Sequence, residues 1–314
     1  MTNRLPPLTA LRAFDAAARH MSFAQAAAEL NVTPAALSFQ IKSLEDHLGA
    51  PLFRRLNRAV ELTEAGRALA PNAQAGFAAL GAGWRAARRA HDNSTLTVTA
   101  GPAFTAKWLA PRLFDFAQAH PEIELRFSAS LKIIDFDVDE VDLAIRFGLG
   151  HDREVYSDPL IHEWMTPMMT PALAARFPTP DSLRDAPLIH DDSIAFFKSP
   201  GDWGAWCRAA ELDMDTNHGA RFSQADHALD AAIAGAGVVL GRISLATQAL
   251  DTGQLLAPFK IGLLTDAKFR FICPLGHETR PKIAAFHSWI KTKVTTTTRF
   301  EEGRTMIDAT TLQQ

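Results

Sequence analysis

A chain of 314 residues, 47% hydrophobic and 21% charged, is long enough for two or three packed units and too balanced in composition to be disordered or fibrous. Its formal net charge of -3 hides a split, because residues 1–91 hold 11 Lys and Arg against 6 Asp and Glu while the remaining 223 hold 21 against 29. That asymmetry suggests a basic module for a polyanion followed by an acidic module for something else.

The longest apolar stretches, Ala231–Leu240 and Phe269–Leu275, fall short of the roughly 20 residues that cross a bilayer, so no membrane span is expected. Arg4, Arg12, Asp15 and Arg19 interrupt the first residues in a way unlike a signal peptide, and Cys207 and Cys273 cannot form a disulfide framework. A cytoplasmic location is the expectation.

Leu8, Leu11, Phe14, Ala18 and Met21 follow three- and four-residue spacings, which predicts a first helix with one buried stripe. Ser22 then offers an N-cap for a short alanine-rich helix from Phe23 to Leu30, and Asn31 tolerates the left-handed turn after it. Thr33 caps a third helix with Pro34 at its first position, and Gly49 supplies the stop. Leu37, Ile41, Leu44 and Leu48 share one stripe of that helix, while Ala35, Ser38, Phe39 and Lys42 point away from it. Two short helices joined by a tight turn, the second presenting small, polar, aromatic and cationic groups, form a helix-turn-helix suited to a major groove. Thr33, Pro34, Ala35, Ser38, Phe39, Gln40 and Lys42 are its candidate DNA contacts.

Pro51–Arg55 and Ala59–Thr63 read as the strands of a hairpin around Leu56, Asn57 and Arg58. Arg54, Arg55 and Arg58 would make it a wing that reaches phosphates or the minor groove. Thr63 caps the next helix, in which Leu69, Ala73, Gly76, Leu80, Gly83 and Ala87 keep the 3.5-residue mean repeat of a coiled-coil seam. Pro71 removes a hydrogen bond there, so the helix is expected to bend or restart.

These residues resemble a known family. Leu8 to Leu48, Leu52-Phe53-Arg54-Arg55, Leu62-Thr63 and Ala65-Gly66 look like the N-terminal module of the LysR-type regulators. Arg4-Leu5-Pro6-Pro7-Leu8 and Phe14-Asp15-Ala16-Ala17-Ala18-Arg19-His20 are similar to the branch that contains the glycine-cleavage activator and the beta-lactamase regulator. The resemblance spans about residues 5 to 295 and is densest before residue 67. It implies a homodimer or tetramer that binds interrupted palindromes in double-stranded promoter DNA, bends them, and adjusts the bend to a small metabolite. RNA polymerase is a further partner that it allows. Phe39 stands where relatives often carry a polar side chain, a departure that bears on base preference.

After a polar break at Asp92, Asn93 and Ser94, strands alternate with helices: Leu96–Ala100, then a helix over Phe104–His120, then strands at Ile123–Ala129 and Val141–Phe147. This predicts an α/β fold with an open sheet, whose ligands gather at the carboxyl ends of strands. The resemblance implies two lobes like those of periplasmic binding proteins, placed at about 92–163 plus 269–297 and at 164–268; Thr295 to Thr298 and the residues to Gln314 read as a poorly ordered end, with a flexible tail over 298–314. The full expectation is a winged helix-turn-helix at 1–63, a dimerising linker helix at 64–91 and an effector-binding domain at 92–297.

Gly101, Pro102, Ala103, Phe104 and Thr105 lie between a strand and a helix N-terminus, where free N–H groups attract an anion. Arg146 and Gly148 end another strand, and Ser223 to Asp226 has the form of a capping box that caps its helix or contacts a ligand. An anionic effector is expected from this set. Ala103 departs from the beta-lactamase regulator, which carries a hydroxyl residue there, so a cell-wall peptide ligand is not supported.

No enzyme is expected, and no cofactor. His190, Asp191 and Asp192 are expected to form a loop cluster without a fourth metal ligand, and Gly235, Gly237 and Gly241 follow a helix where a dinucleotide fingerprint needs a strand. Neither a Gly-x-Ser-x-Gly elbow nor a Walker loop occurs. Trp203, Trp206, Phe196 and Phe197 are expected in the core or lining the second lobe. The acidic second module argues against a protein that merely packs DNA.

Overall fold

The computed structural model describes residues 5–55, 60–91, 94–150, 154–195 and 201–312. The chain divides into two units, Met1–His91 and Asp92–Gln314.

In the first unit, α1 (Leu8–His20), α2 (Phe23–Glu29) and α3 (Pro34–Leu48) precede a two-stranded antiparallel ribbon, β1 (Phe53–Arg55) and β2 (Val60–Leu62), and the long helix α4 (Glu64–His91). The expected caps are present. Ser22 Oγ accepts from Gln25 N at 3.4 Å and Thr33 Oγ1 from Ala36 N at 3.2 Å, with Gly49 left-handed at φ +78°. The buried face of α1 is shifted from the expected one: Ala10, Ala13, Phe14 and Ala17 enter the core, while Leu8 and Met21 are exposed. Leu48 is exposed too. Leu8 and Leu48 gather instead with Leu5, Phe77 and Leu80 in an apolar groove between α1, α3 and α4. Helix α4 runs through Pro71 as one element, so no restart occurs there.

Thr63 holds the ribbon to α4, its hydroxyl donating to Pro51 O at 2.7 Å and accepting from Gly66 N at 3.1 Å. Gly66 is required at this crossing, because a Cβ there would lie 2.2 Å from Leu52 O.

The second unit runs β3 (Thr95–Ala100), α5 (Pro102–Phe104), α6 (Leu113–Ala119), β4 (Glu124–Ala129), β5 (Leu143–Gly148), β6 (Val155–Met168), α7 (Pro171–Arg176), β7 (Leu188–Asp191), α8 (Trp203–Ala209) and β8 (Ala220–Phe222). It continues with α9 (Ala225–Ile233), β9 (Val238–Arg242), α10 (Ile243–Asp251), β10 (Ile261–Pro274), α11 (Pro281–Val294) and β11 (Thr305–Asp308). The single helix expected over 104–120 is instead broken: a π turn at Thr105–Leu109 and a 3-10 turn at Ala110–Arg112 separate α5 from α6. Pro111 has no N–H to continue an α ladder.

The strands form one sheet in the order β4-β3-β5-β10-β6-β9-β7-β8, with β11 also on β10. The 14-residue strands β6 and β10 cross from one half to the other, as one half pairs β10 residues 268–272 with β5 and the other pairs β6 residues 165–168 with β9. Their mutual register shifts between Leu264 and Lys268 and again between Phe269 and Arg270, which marks the junction. Trp203 and Trp206 are buried in the second half as expected, with Trp203 Nε1 donating to Ile189 O at 3.0 Å; Phe196 and Phe197 lie outside the described residues.

The expected flexible tail is corrected by the structure. Residues 305–308 pair in parallel with Ile261–Leu264, Ala309 is fully buried, and Arg304 donates to the carbonyls of Ala257, Phe259 and Phe300.

Candidate nucleic-acid interface and effector site

Helix α3 sends Leu37, Ile41 and Leu44 into a core with Phe14, Ala26 and Ala27. That leaves the opposite face outward: Thr33, Pro34, Ala35, Phe39 and Lys42 are exposed, with Phe39 at 70%, and Ser38 and Gln40 are half-buried. The ribbon is fixed beside this face by a contact the sequence did not reveal. Glu45 Oε1 accepts from Leu52 N at 2.8 Å and Phe53 N at 3.1 Å, and the Phe53 ring lies 5.4 Å from Phe14 and 5.2 Å from Phe23. Arg54, on β1, is exposed and faces Glu61 across the ribbon. Arg55 closes β1, and Arg58 lies outside the described residues. An open hollow lined by Phe23, Ser38, Phe39, Lys42 and Pro51 joins the helix to the ribbon.

Arg19 braces this unit, bridging α1 and α2 with its guanidinium on Glu29 at 2.6 Å while His20 Nε2 meets the same carboxylate at 2.6 Å. The hydrogen bonds from Arg19 and then His20 hold the Glu29 carboxyl down at about 2.

In the second unit the expected ligand contacts divide. Gly101, Pro102 and Ala103 are half-buried at the end of β3, and Thr105 Oγ1 is buried without a hydrogen-bond partner among the described residues. Phe104 belongs to the core, stacked on Phe269 at 4.3 Å and Trp108 at 5.0 Å. Gly148 ends β5 at φ +157°, next to open space. Arg146 is engaged already: its guanidinium donates to Ile145 O, Lys132 O and Thr99 Oγ1 at 3.1–3.3 Å, and burial lowers its pKa.

The expected capping box is absent. Gln224 is the N-cap of α9 without a side-chain bond, so the exposed Ser223 sits one residue too early to cap. Asp226 Oδ1 is buried and has no hydrogen-bond partner among the described residues. Asp230, one turn further on and on the same helix face by spacing, accepts from Lys107 Nζ at 2.5 Å, and Lys107 belongs to the turn that begins at Thr105. The Lys107–Asp230 contact thus joins the segments that hold Thr105 and Asp226, while Arg146 is bonded to Thr99 of β3 and to Lys132.

His190, Asp191 and Asp192 do not form a loop. His190 and Asp191 end β7, with His190 Nε2 2.9 Å from His218 O, and among the described residues no group of His, Cys, Asp and Glu fits a metal. Asp191 Oδ2 lies 3.3 Å from Arg242 Nη2, both side chains being 7% exposed. Arg242 Nη2 also donates to Ser193 Oγ at 3.2 Å, and its guanidinium carbon lies 5.1 Å from the centre of the Phe147 ring. Beside it Glu163, without any exposure, accepts from Ser244 N at 3.1 Å and from the Ser244 hydroxyl; burial raises its pKa against the pull of Arg242 and Ser244. Sequence reasoning missed this network. Its signal was a charge inside each of two apolar runs, Arg242 after Val238-Val239-Leu240 and Glu163 before Trp164-Met165.

A capped recognition helix with an anchored two-strand wing in one unit, and a two-part α/β sheet in the other, define a DNA-binding transcriptional regulator with its own effector-binding domain. The profile of bacterial regulatory helix-turn-helix proteins of the lysR family matches residues 8–67, and that of the LysR substrate binding domain matches residues 89–295. The chain belongs to the LysR family of transcriptional regulators, not to an enzyme family. It is 39% identical over 297 residues to the glycine cleavage system transcriptional activator of Escherichia coli K12, covering 93% of this chain and 95% of that protein. It is 33% identical over 289 residues to the transcriptional activator AmpR of Citrobacter koseri, covering 90% and 97%. The effector domain of AmpR from Pseudomonas aeruginosa, solved by X-ray, superposes with a TM-score of 0.54 at 27% identity, covering 66% of this chain and 98% of that one. Among the described residues no helix is long and apolar enough to cross a membrane.

Proposed function

We propose that this chain, as a homodimer or a tetramer of it, binds promoter DNA sequence-specifically, bends it, and changes the bend when a small anionic effector enters the cleft between two lobes of residues 92–297. The observation that carries the DNA reading is the outward face of α3 beside a ribbon fixed by Glu45. Ser38, Phe39, Gln40 and Lys42 then read the major groove, Thr33, Pro34 and Ala35 approach it at the helix N-terminus, and Arg54, Arg55 and Arg58 take phosphates. The seam of α4 and the apolar groove of Leu5, Leu8, Leu48, Phe77 and Leu80 support pairing through residues 64–91, since Leu80 is 58% exposed in the single chain. In the cleft, Gly101, Pro102, Ala103, Thr105, Gly148, Ser223 and Asp226 surround the effector. The names of the relatives favour activation, and RNA polymerase is the further partner of this reading.

Footprinting on the DNA flanking the gene tests the reading. Arg54→Ala is expected to weaken all sequences and to reduce the slope of log affinity against log salt by about 1, whereas Phe39→Ala changes base preference. Equal losses on specific and random DNA from Phe39→Ala would remove α3 as the reading helix.

A further inference from the structure

Arg242 is the cation that the sequence did not single out, and its surroundings are unusual for one so well buried. A guanidinium carries five donors in a planar fork, and taking it out of water is costly unless those donors are met. Here Nη2 meets Asp191 at 3.3 Å and Ser193 at 3.2 Å, both longer than the roughly 2.7–2.9 Å of a tight charge-assisted bond, and Nε has no partner among the described residues. Asp191 divides its attention, since its Oδ1 accepts from Ser193 N at 3.0 Å as the cap of the turn Asp192–Ile194. The pair is one loose contact where the fork has room for a two-point one.

Its position matters as much as its geometry. Asp191 and Arg242 stand at the carboxyl ends of the parallel strands β7 and β9, and Phe147, over which the guanidinium lies, stands at the end of β5 in the other half of the sheet. A small cavity lined by Asp191, Ala225, Gly241, Arg242 and Leu245 adjoins the pair under the start of α9. The residues after Arg242 are tied to the crossing strands: Glu163 of β6 holds Ser244, and Thr265, within the register shift of β10, donates to Glu163 O at 3.1 Å. Arg242 thus stands two residues from a hydrogen-bonded path, Ser244 to Glu163 to Thr265, that reaches the junction of the two halves.

We propose that Arg242 is the anion-recognising group of the effector cleft and that Asp191 is its resident counter-ion, displaced by a carboxylate-bearing effector. The inference rests on the reading that an effector binds between the lobes, and it replaces Arg146 as the counter-charge because Arg146 is committed to two carbonyls and a hydroxyl. A carboxylate takes the fork at two points, and Asp191, which gives up its cation, keeps the hydrogen bond from the Ser193 amide. Since Phe147 covers the guanidinium from the other half, only an arrangement that admits the ligand's carboxylate beside Phe147 binds it well, which supplies the difference in affinity that a switch needs.

The test uses the full chain and acetate as the probe, against sodium chloride at matched ionic strength, with the thermal midpoint of the effector domain as the readout. Asp191→Asn empties the counter-ion position, so acetate is expected to raise that variant's midpoint by about 2–4 °C beyond chloride, and the wild type's by less. Adding Arg242→Gln to Asp191→Asn abolishes the difference, whereas adding Arg146→Gln leaves it. If Asp191→Asn does not fold, Ser193→Ala, which loosens the same grip, shows the acetate excess at smaller size. No excess of acetate over chloride in the folded variant, or an excess that survives Arg242→Gln, overturns the proposal. An excess that survives Arg242→Gln but is lost with Thr105→Val overturns Arg242 alone and keeps the cleft; one that survives both, and Asp226→Asn, removes the cleft as well.

Discussion

Glu45→Ala separates the recognition helix from its wing without touching either DNA-facing surface. One carboxylate oxygen accepts two backbone N–H groups, from Leu52 at 2.8 Å and Phe53 at 3.1 Å, at residues whose side chains are buried. Hydrogen bonds to a charged acceptor contribute about 1.5–3 kcal/mol each, and two that share an oxygen fall short of additivity, so the loss is about 2–4 kcal/mol. At the lower figure, amide exchange of Leu52 and Phe53 accelerates by about 30-fold, since 1.4 kcal/mol is about a factor of ten. Mass-spectrometric hydrogen exchange over residues 50–56 of the full chain reads this directly. DNA binding measured across salt concentrations reads its consequence, a slope reduced toward that of a protein without its wing contacts. Glu45→Gln, which keeps a neutral acceptor, loses about half as much stability. Unchanged exchange in Glu45→Ala would refute the claim that this side chain holds the wing.

Leu80→Asp is expected to abolish pairing of the chain, because it places a charge in the apolar groove beside Phe77 and Leu48; sedimentation of a variant that still pairs and binds DNA unchanged would place the interface on another surface. Glu29 gives a pH dependence of known sign. Its carboxyl sits at about 2 in the fold, below the ordinary value near 4.3, so its stabilisation is complete above pH ~4.3 and is lost as pH falls through about 2. The group is exposed, so the effect stays within about 1 kcal/mol, and the stability difference between wild type and Glu29→Gln is expected to vanish at the acid end of a denaturation series.

What the sequence disclosed was local. Ser22, Thr33 and Gly49 act within a few residues of themselves, and the helix-turn-helix they delimit has the predicted outward face. The apolar pattern was less discriminating: Leu8 and Leu48 have the spacing of core residues but line an open groove, since periodicity marks a face to be covered without saying by what. Pro111 was a readable warning that a helix over 104–120 would break. Ser223 has the composition of a cap at an offset of one residue, an error within the usual uncertainty of helix ends. That Arg242 of β9 lies over Phe147 of β5 follows from strand pairing between residues about a hundred positions apart, which no local pattern records. The last strand was invisible for the same reason, as Thr305–Asp308 has no partner within its own neighbourhood.

That last strand has a practical meaning. Along one side of β10, Ile261–Leu264 is covered by β11 and Lys268–Ile272 by β5, the two strands lying end to end. The substrate-binding profile stops at residue 295, ten residues before β11 begins. A chain cut at that boundary would bare four consecutive ladder positions, Ile-Gly-Leu-Leu, in one of the two longest strands of the sheet, with little charge and no proline to deter a second molecule from pairing there. The C-terminal segment is thus a built-in guard against edge-to-edge aggregation, and soluble fragments of this protein should be designed to end after Leu312.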